Sequence, residues 1–464
     1  MDIRFSPHNL HLESLDIFVQ QDPNLRALLN QKLVHKSSLL DELPQGEPGI
    51  YTITGGRQIG KTTLLKQWMV QIIKNNTPTE SITYLTGELI DDHHALVRIV
   101  MDSLKEKSRY LLPQYLLIDE ITYIRNWDKG IKYLADTGLL ENVVLVLTGS
   151  DLVVIKEARM RFPGRRGVSD NVDFHLFPLS FYEYLKLNNR ITSDEICNLV
   201  KAGASASKGQ ITILYAEFES YLIHGGFLTA INDMAVHNRI LPATFATYSD
   251  WIRGDMLKRN KQEHNLKDLL SGVIKRIGSQ ITWNALSRDL TIDHPKTISD
   301  YIEILQSMDV LYVQSALLEN KLAAAPKKAK KVIFSDPFIY HATNAWLNPC
   351  KDPFEMLLRP QIDSPESCSK IVESCVVNHY QRKYPVFYIK AKAEVDIAYI
   401  DKKRFWPLEV KWTGQLRPKE LKQISKYSNG KILTKSYTPG KIQGIPTEPI
   451  PLNLLRLGYV DRQE

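Results

Sequence analysis

The chain has 464 residues, 43% of them hydrophobic and 24% charged, a make-up that excludes a collagen-like, low-complexity or wholly disordered protein. At roughly 150 residues per domain, this length predicts about three folding units. The net charge is only +7, yet residues 321–464 hold 25 Lys and Arg against 14 Asp and Glu, a net of +11, while the first 320 residues sum to −4; such a basic C-terminal third predicts contact with a polyanion.

Four cysteines (Cys197, Cys350, Cys368, Cys375) without C-x-x-C spacing predict reduced, buried thiols rather than a disulfide framework or a zinc site. The opening stretch, MDIRFSPHNLHLESLD, has no basic segment leading into an apolar run, so no signal peptide is expected. No segment approaches the ~20 apolar residues of a membrane span. The expectation is a soluble, cytoplasmic protein with no membrane partner. Residues 1–45 read as a helical N-terminal segment.

Ile50-Tyr51-Thr52-Ile53-Thr54 is a β-branched and aromatic run that predicts a buried strand. It leads directly into Gly55-Gly56-Arg57-Gln58-Ile59-Gly60-Lys61-Thr62-Thr63, in which Gly55, Gly60, Lys61 and Thr62 satisfy G-x-x-x-x-G-K-[ST]. Leu64, Leu65, Trp68, Met69, Ile72 and Ile73 then recur at helical spacing. Strand, glycine loop and helix in this order let backbone N–H groups and a helix N-terminus surround phosphate oxygens. Lys61 would reach the β- and γ-phosphates of ATP, and the Thr62 hydroxyl would bind Mg²⁺. A chance glycine turn before a helix is the plain alternative.

Ile82–Leu85 predicts a further strand of the same sheet. Tyr115-Leu116-Leu117-Ile118 then ends in Asp119 and Glu120, some 58 residues after Lys61. Two carboxylates at a strand's C-terminal end sit where α/β sheets place their sites. Asp119 would hold Mg²⁺ and Glu120 would activate the hydrolytic water. Val143–Leu147 is a third strand, ending in Thr148-Gly149-Ser150-Asp151. Ser150 would contact the γ-phosphate there, or Ser150 or Asp151 would simply cap a helix.

Arg161, Arg165 and Arg166 lie in RFPGRRG. Arg165 and Arg166 are candidates to complete a neighbouring subunit's nucleotide site, the alternative being a solvated or nucleic-acid-touching basic loop. Taken together, GGRQIGKTTLLKQ, YLLIDEITYIRNWDKGIKYLAD, VVLVLTGSDLVV, FPGRRGVSD, HLFPLSFYEYL and HGGFLTA resemble a group of prokaryotic AAA-type ATPases. That group has a helical middle and a C-terminal domain of unknown function. The resemblance covers most of the chain from about residue 30 onward and implies a P-loop ATPase core. A homo-oligomer is the expected assembly.

Residues 181–270 read as helical, with a small-residue linker at 202–207. From Leu266 onward the pattern runs helix, helix, turn, helix and then a strand at Val310–Val313, the order of a winged helix. Its third helix, PKTISDYIEILQSMD, carries Asp300, Glu303 and Asp309 against Lys296 alone. Because phosphate contacts dominate affinity for nucleic acid, such a face predicts a packing or relay module rather than a sequence reader. KLAAAPKKAKK (321–331) reads as a basic linker.

Val332–Asp336 and Val386–Ile389 predict strands. Glu394–Ile400, the turn Asp401–Arg404 and Phe405–Trp412 predict a hairpin. Alternation puts Glu409 and Lys411 on one face, and antiparallel pairing would bring Asp396 beside Glu409. Two carboxylates that hold Mg²⁺ or Mn²⁺, with a lysine that orients or deprotonates water, are what metal-dependent phosphodiester cleavage requires. These residues look like the PD-(D/E)xK nuclease core, matched by Asp396, Glu409 and Lys411. Glu373, on an apolar helix, matches that superfamily's additional helix glutamate, which the resemblance implies as a further metal ligand beside Asp396 and Glu409. A hairpin with ordinary surface charges is the plain alternative.

The expected fold is therefore α/β. It comprises the N-terminal segment (1–45), a P-loop AAA-type ATPase domain (46–240), a helical winged-helix-like domain (241–320) and a restriction-endonuclease-like domain (321–464). The expected function is ATP binding and hydrolysis, coupled to a metal-dependent nuclease-like domain on nucleic acid, DNA more than RNA. The alternative is a nucleotide-dependent switch or scaffold whose C-terminal fold binds nucleic acid or protein without cutting.

Overall fold

The computed structural model describes residues 2–105, 113–150, 160, 162, 164, 166, 167, 169, 171–203, 206–292, 294–413, 416 and 421–460. They form two compact units, residues 1–177 and 178–464.

The first unit opens with short helices, among them α1 (Leu15–Gln21), α2 (Pro23–Leu29) and α3 (Leu39–Glu42). There follow β1 (Gly49–Thr54), α4 (Lys61–Lys74), β2 (Ile82–Thr86), α5 (His93–Lys105), β3 (Gln114–Asp119), α6 (Trp127–Asp136), β4 (Val143–Gly149) and β5 (Asp173–His175). The sheet is parallel in the order β2-β3-β4-β1-β5. Helices cover both faces, which is why its strands are near-continuous apolar runs. Ile50, Leu116, Ile118, Leu145 and Leu147 pack with Leu96, Trp127 and Ile131 on one face. Tyr51, Ile53, Leu117 and Val146 pack with Leu64, Leu65, Trp68 and Met69 on the other.

Phe18 and Leu25 of the N-terminal helices belong to this second core. Asp22 caps α2 and pairs with Lys66 of α4 at 3.2 Å, both side chains being at most 1% exposed. A buried pair of this kind costs several kcal/mol if one partner alone is lost, so the N-terminal segment is fastened to the parallel sheet and its helices.

The second unit begins with five helices: α7 (Phe181–Asn188), α8 (Ser193–Ala202), α9 (Lys208–His224), α10 (Leu228–His237) and α11 (Pro242–Lys258). Ser180, Thr192 and Ser207 start α7, α8 and α9 with capping boxes. Next come α12 (Glu263–Lys275), β6 (Gln280–Ile281), α13 (Trp283–Asp289), α14 (Pro295–Ser307), β7 (Leu311–Leu318), β8 (Ala323–Ala324) and β9 (Lys330–Phe334). Ile298, Tyr301, Ile302 and Leu305 form the buried face of α14. The remaining elements include α15 (Pro337–Leu347), α16 (Pro365–Gln381), β10 (Val386–Lys390), β11 (Glu394–Asp401), β12 (Arg404–Lys411), β13 (Lys431–Thr434), β14 (Gly440–Ile442), β15 (Ile445–Pro449) and α17 (Ile450–Val460).

One sheet joins these strands in the order β14-β15-β13-β12-β11-β10-β7-β9-β6, with β8 beside β7. The stretch expected to be a basic linker is thereby corrected: residues 321–331 lie within the β7–β9 hairpin. The reason is that strand alternation runs two residues past the apolar Val332-Ile333-Phe334. Lys331 turns inward and is fully buried, while Lys330 lays its ammonium 5.1 Å from the Trp283 ring centroid. The expected boundary at 320/321 falls between two paired strands, and β7 continues the sheet by pairing in parallel with β10.

All four cysteines are free thiols. Among the described residues no helix is long and apolar enough to cross a membrane.

Two glycines of the second unit predict opposite effects of a methyl group. A Cβ on Gly226 would overlap the backbone oxygen of Leu179 and come within 2.5 Å of its nitrogen, whereas one on Gly254, inside α11, meets nothing within 4 Å. Gly226→Ala is expected to destabilise by about 3 kcal/mol or more, and Gly254→Ala to stabilise by about 0.5–1 kcal/mol. Chemical denaturation of the full chain checks both; effects of the same sign contradict the packing described.

Candidate functional site

The first candidate site forms where β1, β3 and β4 end. After β1 the backbone turns through Gly55 (φ +149°), Gln58 (φ +59°) and Gly60 (φ +102°), and α4 begins at Lys61. A Cβ on Gly55 would lie 2.5 Å from the Leu176 carbonyl oxygen, so glycine is the residue that fits. Gly56, Arg57 and Ile59 complete the loop, and Thr63 stands in the first turn of α4. Arg57 donates to the Tyr123 hydroxyl at 2.5 Å. The Lys61 ammonium is buried and donates to the carbonyls of Gly55 at 3.0 Å and Gly56 at 2.9 Å. It also lies 3.8 Å from Glu120 Oε1.

Asp119 is buried and accepts from three hydroxyls. Thr62 Oγ1 donates to its Oδ2 at 2.6 Å and the Tyr84 hydroxyl at 2.7 Å. Thr148 Oγ1 donates to its Oδ1 and accepts from the Glu120 N–H at 3.0 Å. Tyr84 stays a donor, because burial and then the Asp119 charge push its pKa well above the ordinary phenol. Glu120 has a left-handed backbone (φ +51°), unusual outside Gly and Asn and common at working sites. Burial raises its pKa and Asp119 adds to this, with the Lys61 charge opposing both. Ser150 Oγ donates to Glu120 Oε2 at a long 3.4 Å.

The loop stretch, Lys61, Thr62, Asp119, Glu120 and Ser150 thus meet at one place. The donor set around Thr62 and Asp119 is all oxygen, which suits Mg²⁺; these two residues would hold it. Tyr84 and Thr148 were not singled out by sequence. Thr148 stood beside the chosen Ser150, but nothing local to Tyr84 pointed to Asp119. Of the three arginines, Arg161 and Arg165 lie outside the described residues, as does Asp151. Arg166 is bound within its own unit: Nη1 donates to Asp173 Oδ2 at 2.6 Å and Nη2 to the Val172 carbonyl at 3.1 Å.

The second candidate site lies in the large sheet. Lys402 and Lys403 form the turn of the β11–β12 hairpin, with φ +46° and +60°. The resulting register pairs Ile397 with Leu408, so Asp396 and Glu409 are the next opposed positions. Asp396 Oδ2 accepts from the Val410 N–H at 2.9 Å and lies 3.9 Å from Lys411 Nζ. Lys411 Nζ contacts Glu409 Oε1 at 2.7 Å. Glu409 Oε2 is buried without a hydrogen-bond partner among the described residues.

Glu373 of α16 joins the cluster through a residue that the sequence did not flag. Lys331 Nζ donates to Glu373 Oε1 at 2.8 Å, contacts Glu394 Oε1, and lies 3.8 Å from Asp396 Oδ1. One oxygen each of Glu373, Glu394 and Asp396 lie within 4.8 Å of one another. Burial, with Asp396 adding, raises Glu409 to about 8 against the pull of Lys411. Burial raises Glu373 to about 7, although Lys331 opposes it. Burial disfavours charge on Lys411, but Asp396 and Glu409 outweigh it and the pKa rises. The buried, unpartnered Glu409 oxygen and the excess of carboxylates fit a divalent cation, which Asp396 and Glu409 would hold, while Glu373 is engaged by Lys331.

Residues 47–185 match the family model of the AAA domain, and residues 215–349 match that of a domain of unknown function (DUF8612). The latter runs from α9 through the β7–β9 hairpin and stops short of β10–β12. An uncharacterized protein of Haemophilus influenzae is 25% identical over 61% of this chain and 67% of its own length. Two uncharacterized proteins of Methanocaldococcus jannaschii are 25% and 29% identical, over 64% and 40% of this chain and 65% and 40% of their own lengths. Among solved structures, the Walker-type ATPase PABY2304 of Pyrococcus abyssi aligns at 13% identity and TM-score 0.39, over 71% of this chain and 97% of that one. The Aeropyrum pernix ORC1 protein in complex with DNA aligns at 12% and 0.29, over 76% and 94%. Scores this low say nothing about function. Together, the AAA match and the parallel sheet carrying the G-x-x-x-x-G-K-T loop make the first unit the core of an AAA-type P-loop ATPase.

Proposed function

We propose that the chain binds and hydrolyses ATP in its first unit and, through the cluster around Asp396, cleaves phosphodiester bonds of nucleic acid, DNA in preference to RNA. One observation carries this reading. Two separate groups of carboxylates stand at strand ends, each with a lysine ammonium in contact: Lys61 with Glu120 and Lys411 with Glu409. A homo-oligomer is part of the reading.

In the ATPase, the Lys61 ammonium leaves the Gly55 and Gly56 carbonyls for phosphate oxygens, whose charge exceeds a carbonyl dipole. Mg²⁺, when bound with ATP, neutralises the phosphate charge that grows during transfer. Thr62 and Asp119 hold that position. Glu120, with its pKa raised, takes the proton of the attacking water more readily than an ordinary carboxylate. Ser150 contacts the phosphate that departs.

In the C-terminal cluster, a bound divalent cation would polarise the scissile phosphate. Asp396 and Glu409 supply the oxygens that hold it. Lys411 keeps its proton at neutral pH, so it orients the water and stabilises charge rather than acting as a base. The net +11 of residues 321–464 brings the polyanion to this cluster. The switch or scaffold reading is favoured by one fact, that Glu409 Oε1 and Lys411 already satisfy each other as an ion pair.

Lys61→Ala should bring phosphate release to background; undiminished hydrolysis would remove the site from the loop. Wild type with Mg²⁺ or Mn²⁺ should cut at least one of single-stranded DNA, duplex DNA or RNA, with or without ATP, and Glu409→Gln and Lys411→Ala should not. Wild type that cuts none of them leaves the scaffold reading standing.

The pH dependence follows from the raised carboxyls. Protons compete with metal for Glu409 below about 8, so Mn²⁺ binding to the nucleotide-free chain should tighten as pH rises. About tenfold or more is expected between pH 6.5 and 8.5. A flat calorimetric profile over that range would contradict it.

A further inference from the structure

Lys331 is a fully buried lysine at the centre of a row that crosses three strands. Gln280 of β6 and Gln314 of β7 are its register partners on either side of β9. All three side chains engage the first turn of pleat in β11. Gln280 Nε2 donates to Glu394 Oε2. Lys331 takes the other oxygen of the same carboxylate, together with Glu373 Oε1. Gln314 Nε2 donates to the Asp396 carbonyl at 2.9 Å and the Phe387 carbonyl at 3.0 Å.

An ammonium has three N–H donors and no acceptor. Here it stands among three carboxylate oxygens that are close enough to one another to ligate a metal ion. Two cations cannot share that space. Lys331 is 1% exposed and its stem is fixed within a strand, so the ammonium does not exchange with solvent as an ion would. On the other side of Asp396, by contrast, Glu409 Oε2 is buried and accepts no hydrogen bond among the described residues. The charges agree with this division. Glu373, Glu394, Asp396 and Glu409 carry four negative charges when ionised, and Lys331 and Lys411 return two. A single divalent cation closes the difference, and a second would overshoot it.

We propose that Lys331 is the resident cation of the Glu373–Glu394–Asp396 group, excluding metal from it, so that any divalent cation is confined to the side of Asp396 that faces Glu409. The inference rests on reading the cluster as a metal site. It gives the hairpin of β7 and β9 a direct part in that site: one ammonium, built into the fold, occupies a place that a metal ion would otherwise take. Glu373 then acts through Lys331 as a positioning residue.

The test is the number of Mn²⁺ ions bound per full-length, nucleotide-free chain, read by electron paramagnetic resonance. Lys331→Met keeps the length of the side chain and removes its charge. It should bind one Mn²⁺ more than wild type, and its melting temperature should rise further with added Mn²⁺. A folded Lys331→Met protein with the wild-type count overturns the proposal. Should that variant not fold, Lys331→Gln, which removes the charge but keeps a neutral N–H donor and leaves all three carboxylates in place, is read in the same way: one Mn²⁺ more than wild type supports the proposal and the wild-type count overturns it. The metal reading itself fails separately, if wild type shows no Mn²⁺ that Glu409→Gln abolishes.

Discussion

Carboxylates brought together in a buried place repel one another and resist ionisation, and both candidate sites are organised by how that repulsion is met. At the end of β3, Asp119 is held by three hydroxyls, from Thr62, Tyr84 and Thr148. Neutral donors stabilise its charge without cancelling it, so the carboxylate keeps its attraction for a cation. In the large sheet the answer is ionic. Two lysines stand among four carboxylates, and Glu409 Oε2 is left buried without a hydrogen-bond partner among the described residues. Hydroxyls suit a site whose cation arrives with ATP.

Much of this was legible in local sequence. The phosphate loop is contiguous, and its flanking strand and helix announce themselves by period. The β11–β12 hairpin was legible because two alternating runs flank the polar turn Asp401–Arg404 and antiparallel pairing would bring Asp396 beside Glu409; the structure narrows the turn to Lys402 and Lys403. What escaped depends on strand order. Tyr84 meets Asp119 only because β2 lies beside β3, and Thr148 only because β4 lies on the other side. Lys331 escaped for a different reason. KKAKK reads as solvent-facing, and the carboxylates that make its burial tolerable come from α16 and β11, far along the chain.

Burial of Lys331 also changes the meaning of the basic C-terminal third. Of its net +11, the charges of Lys331 and Lys411 are engaged by carboxylates within the fold. Those two lysines and the four carboxylates around them sum to −2, so the other residues of 321–464 present a net +13 to a polyanion. The same residue joins regions that composition had separated. The β6–β9–β7 row and the β11–β12 hairpin belong to one sheet and together build one cluster, so a cut at residue 320 would leave Glu394 and Asp396 with Lys331 but without Gln280 and Gln314.

On the function proposed above, the chain carries two oxygen-lined cation sites kept by different means, one filled together with nucleotide and one independent of it. Counting bound Mn²⁺ per chain before and after adding a non-hydrolysable ATP analogue tests this most directly. The account predicts one ion without nucleotide and two with it, the first lost in Asp396→Asn and the second in Lys61→Ala. A count that nucleotide does not change, or a single substitution that empties both sites, would contradict it.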